Sequence, residues 1–562
     1  MEPSGQILKS AHQDVWRLGR WALWLIMLAT WFVQAMALRH KIDADGISYL
    51  DIGTAFWNGD WHAVVNGWWS PAYPILVGLW LKIWRPAPYY EFAAVRLCGC
   101  LMAVVTLISF EFLLKAVLAL CKPAYMPTWM VRAPAYAIFF WVTTKLMPGG
   151  LEHPDLLVCA AVFVSVGISV KLASGMSEWW RFLLFGLVLG IGYLCKSFLF
   201  PLGFALLLTT AIAAHGSRPV LRGLVFSFVI YLAVVSPLVF ELSRQKGRPT
   251  FGDVGALAYA RYVDYIDDPT VAKELPLKAR TFKHPVRVIS QVPVVEEFAT
   301  PLKGTYALWT DPSYWYEGIR PYFKLRAEIN VIHIALSGYF QIIVVQLGCL
   351  FAVLVSLVVL GGDFVTGFAR RFAGQVAIWG PAAVAMAAYS IVHVDERYIG
   401  GFIVLLTLAS FLALGPALFD ASTKRTRTLL FAAVFVLGLQ ITDIVGHSAS
   451  QLLSHQEFVE WDVADALHRL GIPEGGKVSY LGSTLDDHSW ARLARVSIVS
   501  DIPLNGVEDF WASDDEGKSR ALALLASTGS AALVTRDVPP VAESAGWVPV
   551  QGTNYFIHRL PE

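Results

Sequence analysis

The chain has 562 residues, 56% of them hydrophobic and only 15% charged, with a net charge of +1. Soluble globular domains carry about 25% charged residues, so an ordinary soluble domain is excluded. The near-neutral balance also leaves no electrostatic footing for nucleic acid as a partner.

The hydrophobic excess is gathered into runs of roughly 15 to 25 residues, the length that a hydrocarbon slab of about 30 Å demands of a helix satisfying its own backbone. The 21 Trp, 20 Tyr and 33 Phe fit the same setting, since aromatic rings collect at membrane interfaces. Cys98, Cys100, Cys121, Cys159, Cys195 and Cys349 all lie in or beside apolar runs without a Cys-x-x-Cys spacing, so neither a disulfide framework nor a cysteine metal site is expected. Lys9, Arg17 and Arg20 precede the first run, and no small-residue cleavage site follows, which predicts an uncleaved first helix.

In chain order, about eleven spanning helices are expected on the length criterion, near 21–38, 92–113, 132–147, 156–172, 182–195, 198–214, 221–240, 334–360, 375–391, 398–418 and 428–446. Basic residues mark the short loops that the positive-inside rule assigns to the cytoplasm: Lys115, Lys122 and Arg132; Lys171 and Arg181; Arg218 and Arg222; Arg370 and Arg371; Lys424, Arg425 and Arg427. The alternation holds if the N-terminus is inside and the run 72–84, too short to span, lies on the membrane as an interfacial helix. Loops 39–91 and 241–333, the turns 148–155 and 392–397, and a turn around Lys196 then fall outside.

From about 447 the chain changes character. An amphipathic stretch from Glu457 to Leu470 precedes strand-like runs at Lys477–Leu481, Val496–Ser500, Ala531–Thr535 and Tyr555–Arg559. The expected architecture is an α-helical polytopic membrane domain, 1–446, followed by a small extracytoplasmic α/β domain, 447–562. No nucleotide-binding motif is present in the latter, and the chain carries no internal repeat.

The chemistry-bearing residues sit in the outside loops. Asp43, Asp45 and Asp51 bracket Tyr49 just after the first helix; carboxylates there can bind a divalent cation or take a proton from a hydroxyl nucleophile, or simply be solvated. Glu152, His153 and Asp155 crowd the short turn before the next apolar run, as metal ligands or as helix-dipole partners. Lys196 interrupts two apolar runs and can snorkel or pair with a lipid phosphate. Arg397, followed by Tyr398, can grip phosphate or pair with Asp395 or Glu396. The aromatic run 308–318, with Trp309 and Trp315, can stack on a sugar ring or form an interfacial belt.

Taken in order, these loops resemble the GT-C glycosyltransferases, closest to the aminoarabinose-transferase and protein-mannosyltransferase branch. The resemblance rests on Asp45-x-x-x-Tyr49, on Trp69-Ser70-Pro71-Ala72-Tyr73-Pro74 and on Arg96. It rests also on Pro154-Asp155, the Gly-x-x-Tyr-Leu-x-Lys196 segment and Arg397-Tyr398, and it covers about residues 20–420. It implies an inverting transfer of sugar from a polyprenyl-phosphate donor to an extracytoplasmic lipid, glycan or protein, in the cell inner membrane. Asp45 is then the catalytic carboxylate, with Asp43 able to exchange roles. Lys196 and Arg397 face donor phosphate, and Tyr49, Tyr73, Tyr398 and Trp315 contact substrate. A divalent cation (Mg, Mn or Zn) would draw on Asp45, Asp155, Glu152 and His153. Ser70 departs from the aminoarabinose transferases, which carry a lysine before the loop proline, and this shifts phosphate binding towards Lys196 and Arg397.

A secondary transporter of a polar or lipid-linked solute is the rival reading. Transporters bind substrate near the bilayer midplane on broken or charged helices, usually between paired repeats, whereas here the charges cluster in loops.

Overall fold

The computed structural model describes residues 3–120, 129–268, 271, 273, 275–360, 366–414, 423–454, 456–536, 538–539 and 546–561. Cys121, Lys122 and the expected end of the tenth span, 415–418, lie outside these described residues.

The apolar runs are helices. In chain order they are α1 (Pro3–Ala37), α2 (Ala44–Trp57), α3 (Ala72–Trp84), α4 (Glu91–Leu118), α5 (Trp129–Lys145), α6 (Asp155–Ala173), α7 (Trp179–Cys195), α8 (Leu199–Ala213) and α9 (Arg218–Lys246). After the short α10 (Val254–Tyr262), α11 (Leu325–Phe340) continues through the π-helical turn Gln341–Gln346 into α12 (Gly348–Leu360). Then follow α13 (Thr366–Ala373), α14 (Val376–Ser390), α15 (Glu396–Leu412) and α16 (Thr423–Leu453). Each run read from the sequence as a span carries a helix. Among the described residues six helices are long and apolar enough to cross a membrane, and a seventh counts if α13 and α14, bent by 85° at their junction, form one span.

The helix faces distinguish packing from solvent. On α4 and α6 apolar side chains are buried, including Phe110, Leu113, Phe163 and Val166. On α9, α11 and α16 they point outward: Val225, Val229, Ile334, Leu336, Phe431 and Phe435 are all exposed. Water would not stabilise such a belt, whereas lipid tails would. Helix α1 is fastened to α5 by the Trp31 indole and the Gln34 amide, which donate to the carbonyls of Thr143 (3.1 Å) and Thr144 (2.9 Å).

The run 72–84 is α3, and it folds back on α2 as a close pair. A Cβ at Gly53 would lie 2.3 Å from the Pro74 carbonyl oxygen, so only glycine admits this approach. Trp57 donates to the carbonyl of Ile75 across the pair (2.9 Å). The hairpin thereby fixes α2, which carries the acidic loop.

Beyond α16 comes the amphipathic helix α17 (Val459–Arg469), whose Val463, Ala464 and Leu467 are buried. The strands are β1 (Arg287–Gln291), β2 (Val294–Glu297), β3 (Lys477–Gly482), β4 (Ser497–Pro503), β5 (Ala532–Arg536), β6 (Trp547–Pro549) and β7 (Tyr555–Arg559). They form one sheet in the order β1-β2-β4-β3-β5-β7-β6. β3 pairs in parallel with β4 and β5, and the outer pairs are antiparallel. The four runs expected as strands are β3, β4, β5 and β7. The additions are the short edge strand β6 and the hairpin β1–β2, the latter contributed by the large loop 241–333, with Glu296 opposite Asp501. The alternation of strand side chains explains why the sheet is covered on both faces: Val534 joins the main core while Leu533 joins a second cluster with Phe510 and Leu525.

Asp501, on β4, is buried beside this junction; one carboxylate oxygen accepts from the Thr484 hydroxyl (2.7 Å) and the other has no partner among the described residues. Burial pushes its carboxyl up to about 8. The folded state therefore holds a proton that the unfolded chain releases above the ordinary carboxylate range, so stability falls as pH rises from about 4 towards 8. Asp501→Asn should flatten that decline, measured as thermal unfolding of the purified protein from pH 5 to 8.

Candidate active site

Three helices begin at one place. Asp43 is the N-cap of α2 in extended backbone, and its Oδ1 accepts from the Gly46 N–H (2.8 Å), which puts Asp45 in the first turn. Asp155 opens α6 directly after Pro154. Asp395 caps α15, accepting from the Arg397 N–H (3.1 Å). Asp, Pro and Asp are the residues that start helices, so the local sequence chemistry brings three positive helix ends and their carboxylates together. The turn before α6 is tight: Gly150 has φ +88°, and a Cβ there would lie 2.6 Å from Ala35.

The side chains form a continuous polar chain. His153, buried, approaches Asp43 Oδ2 through Nε2 (2.8 Å) and Asp45 Oδ2 through Nδ1 (3.9 Å). Arg397 reaches Asp45 Oδ2 (3.6 Å), Asp155 Oδ2 (3.9 Å) and Asp395 Oδ2 (3.1 Å). Lys196 breaks the line between α7 and α8 in extended backbone, donates to Asp155 Oδ1 (2.7 Å), and stands 3.5 Å over the Tyr398 ring. Burial would raise the Asp43 carboxyl, but the charge and hydrogen bond of His153, the Gly46 N–H and Arg397 together hold it below the usual range. Asp43 is therefore a weak base. Tyr49 is pushed well above its ordinary value by burial and by Asp45 and Asp155, so its phenol stays protonated.

Of the residues singled out in the sequence, Asp43, Asp45, His153, Asp155, Lys196, Arg397 and Tyr398 meet here. Tyr49 packs edge-on against His153, Trp69 and Tyr73, behind the acids. Glu152 turns away into a buried ion pair with Arg96, whose guanidinium also donates to the carbonyls of Leu38 and Gly150. Trp315 is buried in the large loop, its indole donating to the Ala307 carbonyl (3.0 Å). Asp43, Asp45 and His153 offer ligand atoms within 4.8 Å of one another. Two carboxylates and an imidazole are a donor set suited to Zn²⁺ or Mn²⁺.

Two contacts at the acids are not legible in the sequence. Trp309, not Trp315, reaches the acids: its indole donates to Asp45 Oδ1 (3.0 Å), while Arg261 lies 4.8 Å over its ring. The segment Leu485–Ser489 of the C-terminal region lies against the acidic loop, and the two border an open cavity of about 290 Å³ walled also by Asp43, Asp45, Ile47 and Trp309. On the other side of Arg397 a narrow cleft touches Asp155 and Tyr398 and has Met147, Val158, Cys159 and Phe402 as apolar walls.

Asp51, the third acid of the first loop, is a strut. It accepts from the Thr305 N–H and hydroxyl (2.7 and 2.9 Å) and from Arg492 of the C-terminal region (2.9 Å). Arg492 also pairs with Glu91 (2.7 Å), which Arg495 grips too.

No family model matches the sequence, and no curated protein matches it. Among solved structures, ArnT from Cupriavidus metallidurans in the apo state is similar over 97% of this chain and 98% of its own, with 12% identity and a TM-score of 0.52. A structure of the same protein bound to undecaprenyl phosphate aligns over 95% of this chain and 97% of its own, with 11% identity and a TM-score of 0.49. The oligosaccharyltransferase of Archaeoglobus fulgidus, in complex with Zn and sulfate, aligns over 91% of this chain and 68% of its own, with 12% identity and a TM-score of 0.49. Over nearly its whole length the chain thus has the fold of ArnT.

Proposed function

We propose that the protein is an inverting membrane glycosyltransferase that moves a sugar from a polyprenyl-phosphate donor to an extracytoplasmic acceptor. The observation that carries this reading is the junction at Arg397, which links Asp45 on the cavity side to Asp155 on the side of the apolar-walled cleft. The cleft holds only about 10 Å³ as it stands, so the helices must part to admit a lipid phosphate. The phosphate would then meet Arg397 and, through Asp155, the carboxylate they share, the neighbouring Lys196. A hydroxyl presented from the cavity meets Asp45. The fold of ArnT, a protein whose structure with undecaprenyl phosphate is known, supports the same assignment.

The reaction is a single displacement. Asp45 takes the acceptor hydroxyl proton, and the freed oxygen forms a bond to the anomeric carbon. The bond from that carbon to the donor phosphate oxygen breaks with its electron pair, and polyprenyl phosphate leaves, its charge met by the two cations. Holding both substrates at the membrane surface supplies proximity. A divalent cation would be held by Asp43, Asp45 and His153, and when bound it would supply Lewis-acid charge. Glu152 and Asp155 are each already paired with a cation, which favours Asp43 as the second carboxylate ligand.

In this reading the chain spans the inner membrane eleven times with its N-terminus in the cytoplasm, residues 1–446 form the catalytic membrane domain, and 447–562 lie outside. A reporter fused after Glu562 should be active only on the extracytoplasmic side; activity confined to the cytoplasm overturns this topology.

The function is tested by the lipid that co-purifies and by donor dependence. Mass spectrometry should find a polyprenyl phosphate or its sugar conjugate. Arg397→Lys keeps the charge but loses the planar fork, and Lys196→Ala loses the second cation. Both should raise the donor concentration needed for half-maximal transfer by about 10-fold or more, the scale of a lost charge-assisted bond. Unchanged donor dependence with lowered thermal stability would make these cations scaffold and would sink the assignment.

A further inference from the structure

Helix α2 meets the large loop along one face. Asp45, Ser48 and Asp51 stand three residues apart, which on a helix sets them roughly one above another. Segment 305–310 lies along this row and is bonded to each member. Asp51 accepts from the Thr305 N–H and hydroxyl (2.7 and 2.9 Å), and the Ser48 hydroxyl donates to the Trp309 carbonyl (2.9 Å). The third bond is that of the Trp309 indole to Asp45 Oδ1 (3.0 Å). Trp309 itself has little freedom. The Trp69 indole donates to the same carbonyl (3.0 Å), and the Asn66 amide donates to the Thr310 carbonyl beside it (2.8 Å). Arg261, which donates to Asp267 (2.7 Å), stands over the ring face and fixes its plane.

The other neighbours of Asp45 hold it more loosely. Its Oδ2 lies 3.6 Å from Arg397 and 3.9 Å from His153, too far for a hydrogen bond. The indole therefore makes the one hydrogen bond to this carboxylate among the described residues. We infer that Trp309 is a positioning residue for the transfer: its N–H keeps the Asp45 carboxylate in one orientation while that group takes the acceptor proton. The inference rests on the glycosyltransferase reading and deepens it by tying the large loop to the base. A carboxylate turns about two single bonds, and misplacing a reacting group by about 1 Å can cost about 100-fold in rate. An indole N–H only donates, so Trp309 orients the base and takes no proton itself.

The test replaces Trp309 in the full chain by benzothienylalanine, which keeps the fused rings and puts sulfur where the N–H stood. Trp309→Phe is the second variant. Each protein is added to membranes of a strain that lacks the gene, where native donor and acceptor are present together. The donor probe is the polyprenyl-phosphate-sugar fraction extracted from those membranes, radiolabelled in the lipid, and release of labelled polyprenyl phosphate gives the rate. In both variants kcat should fall by about 10- to 100-fold while the half-saturating donor concentration stays within about 2-fold, the pattern of a contact that acts in the transition state. The benzothienylalanine variant should unfold at the wild-type temperature, and tryptophan inserted by the same route should restore the rate. An unchanged kcat in that variant overturns the inference, as does a fall that comes with a raised donor requirement or a lowered unfolding temperature. A wild-type chain that releases no polyprenyl phosphate overturns the glycosyltransferase reading, and the inference with it.

Discussion

Asp45→Asn is expected to lower sugar transfer by about 100- to 10,000-fold, the range for loss of a general base, with expression and lipid binding nearly unchanged. Asparagine keeps the shape and still offers a carbonyl oxygen to the Trp309 indole. What it loses is the proton acceptor and the negative charge that Arg397 approaches at 3.6 Å. Asp43→Asn serves as the comparison. Its carboxylate is tied to the α2 N-terminus and to His153 and held below the usual range, so its loss should act on site geometry more than on proton transfer. Transfer at a near-normal rate by the Asp45 variant would remove this residue from the reaction.

The second large effect is structural. Arg492→Ala leaves Asp51 without one of its partners and Glu91 with only Arg495, at the seam between the membrane helices and the C-terminal region. Breaking a buried ion pair by removing one partner costs about 3–5 kcal/mol, because the surviving charges stay desolvated. The detergent-solubilised variant should therefore unfold at a clearly lower temperature, and a protease should cut the C-terminal region sooner. Transfer should fall as well, since Leu485–Ser489 forms part of the cavity wall. Full thermal stability in this variant would mean that the seam is held by apolar packing, as between His40 and Phe458, whose rings stack at 4.3 Å.

Much of the helical layer was legible because its signal is local. A run of apolar residues reports its own environment. Asp45, His153, Asp155, Lys196 and Arg397 stand out in the sequence as charged residues of short loops between apolar runs. The structure brings them together at neighbouring helix ends. That Asp43 starts a helix inside the loop 39–91 was not legible. What escaped depends on contacts distant in sequence. Trp309 and Trp315 lie in the same aromatic run, and only the course of the large loop decides which indole meets Asp45 and which is spent on the Ala307 carbonyl. Glu152 stands next to His153 in sequence, yet the buried Arg96 on α4 draws it away. Leu485–Ser489 reads as part of a separate fold, and only the tertiary structure sets it beside the acidic loop.

The hairpin β1–β2 carries a consequence for how the protein is made. Its partner strand β4 follows it in the chain only after α11 to α16. During synthesis the hairpin must therefore wait, with the hydrogen-bonding edge of β2 unpaired, until every later helix has been inserted. An open strand edge is a template for foreign pairing, and closure over so long a separation is slow. A chain that stops short of β4 would keep this edge permanently open, so a protected β2 edge depends on a strand made only after the later helices.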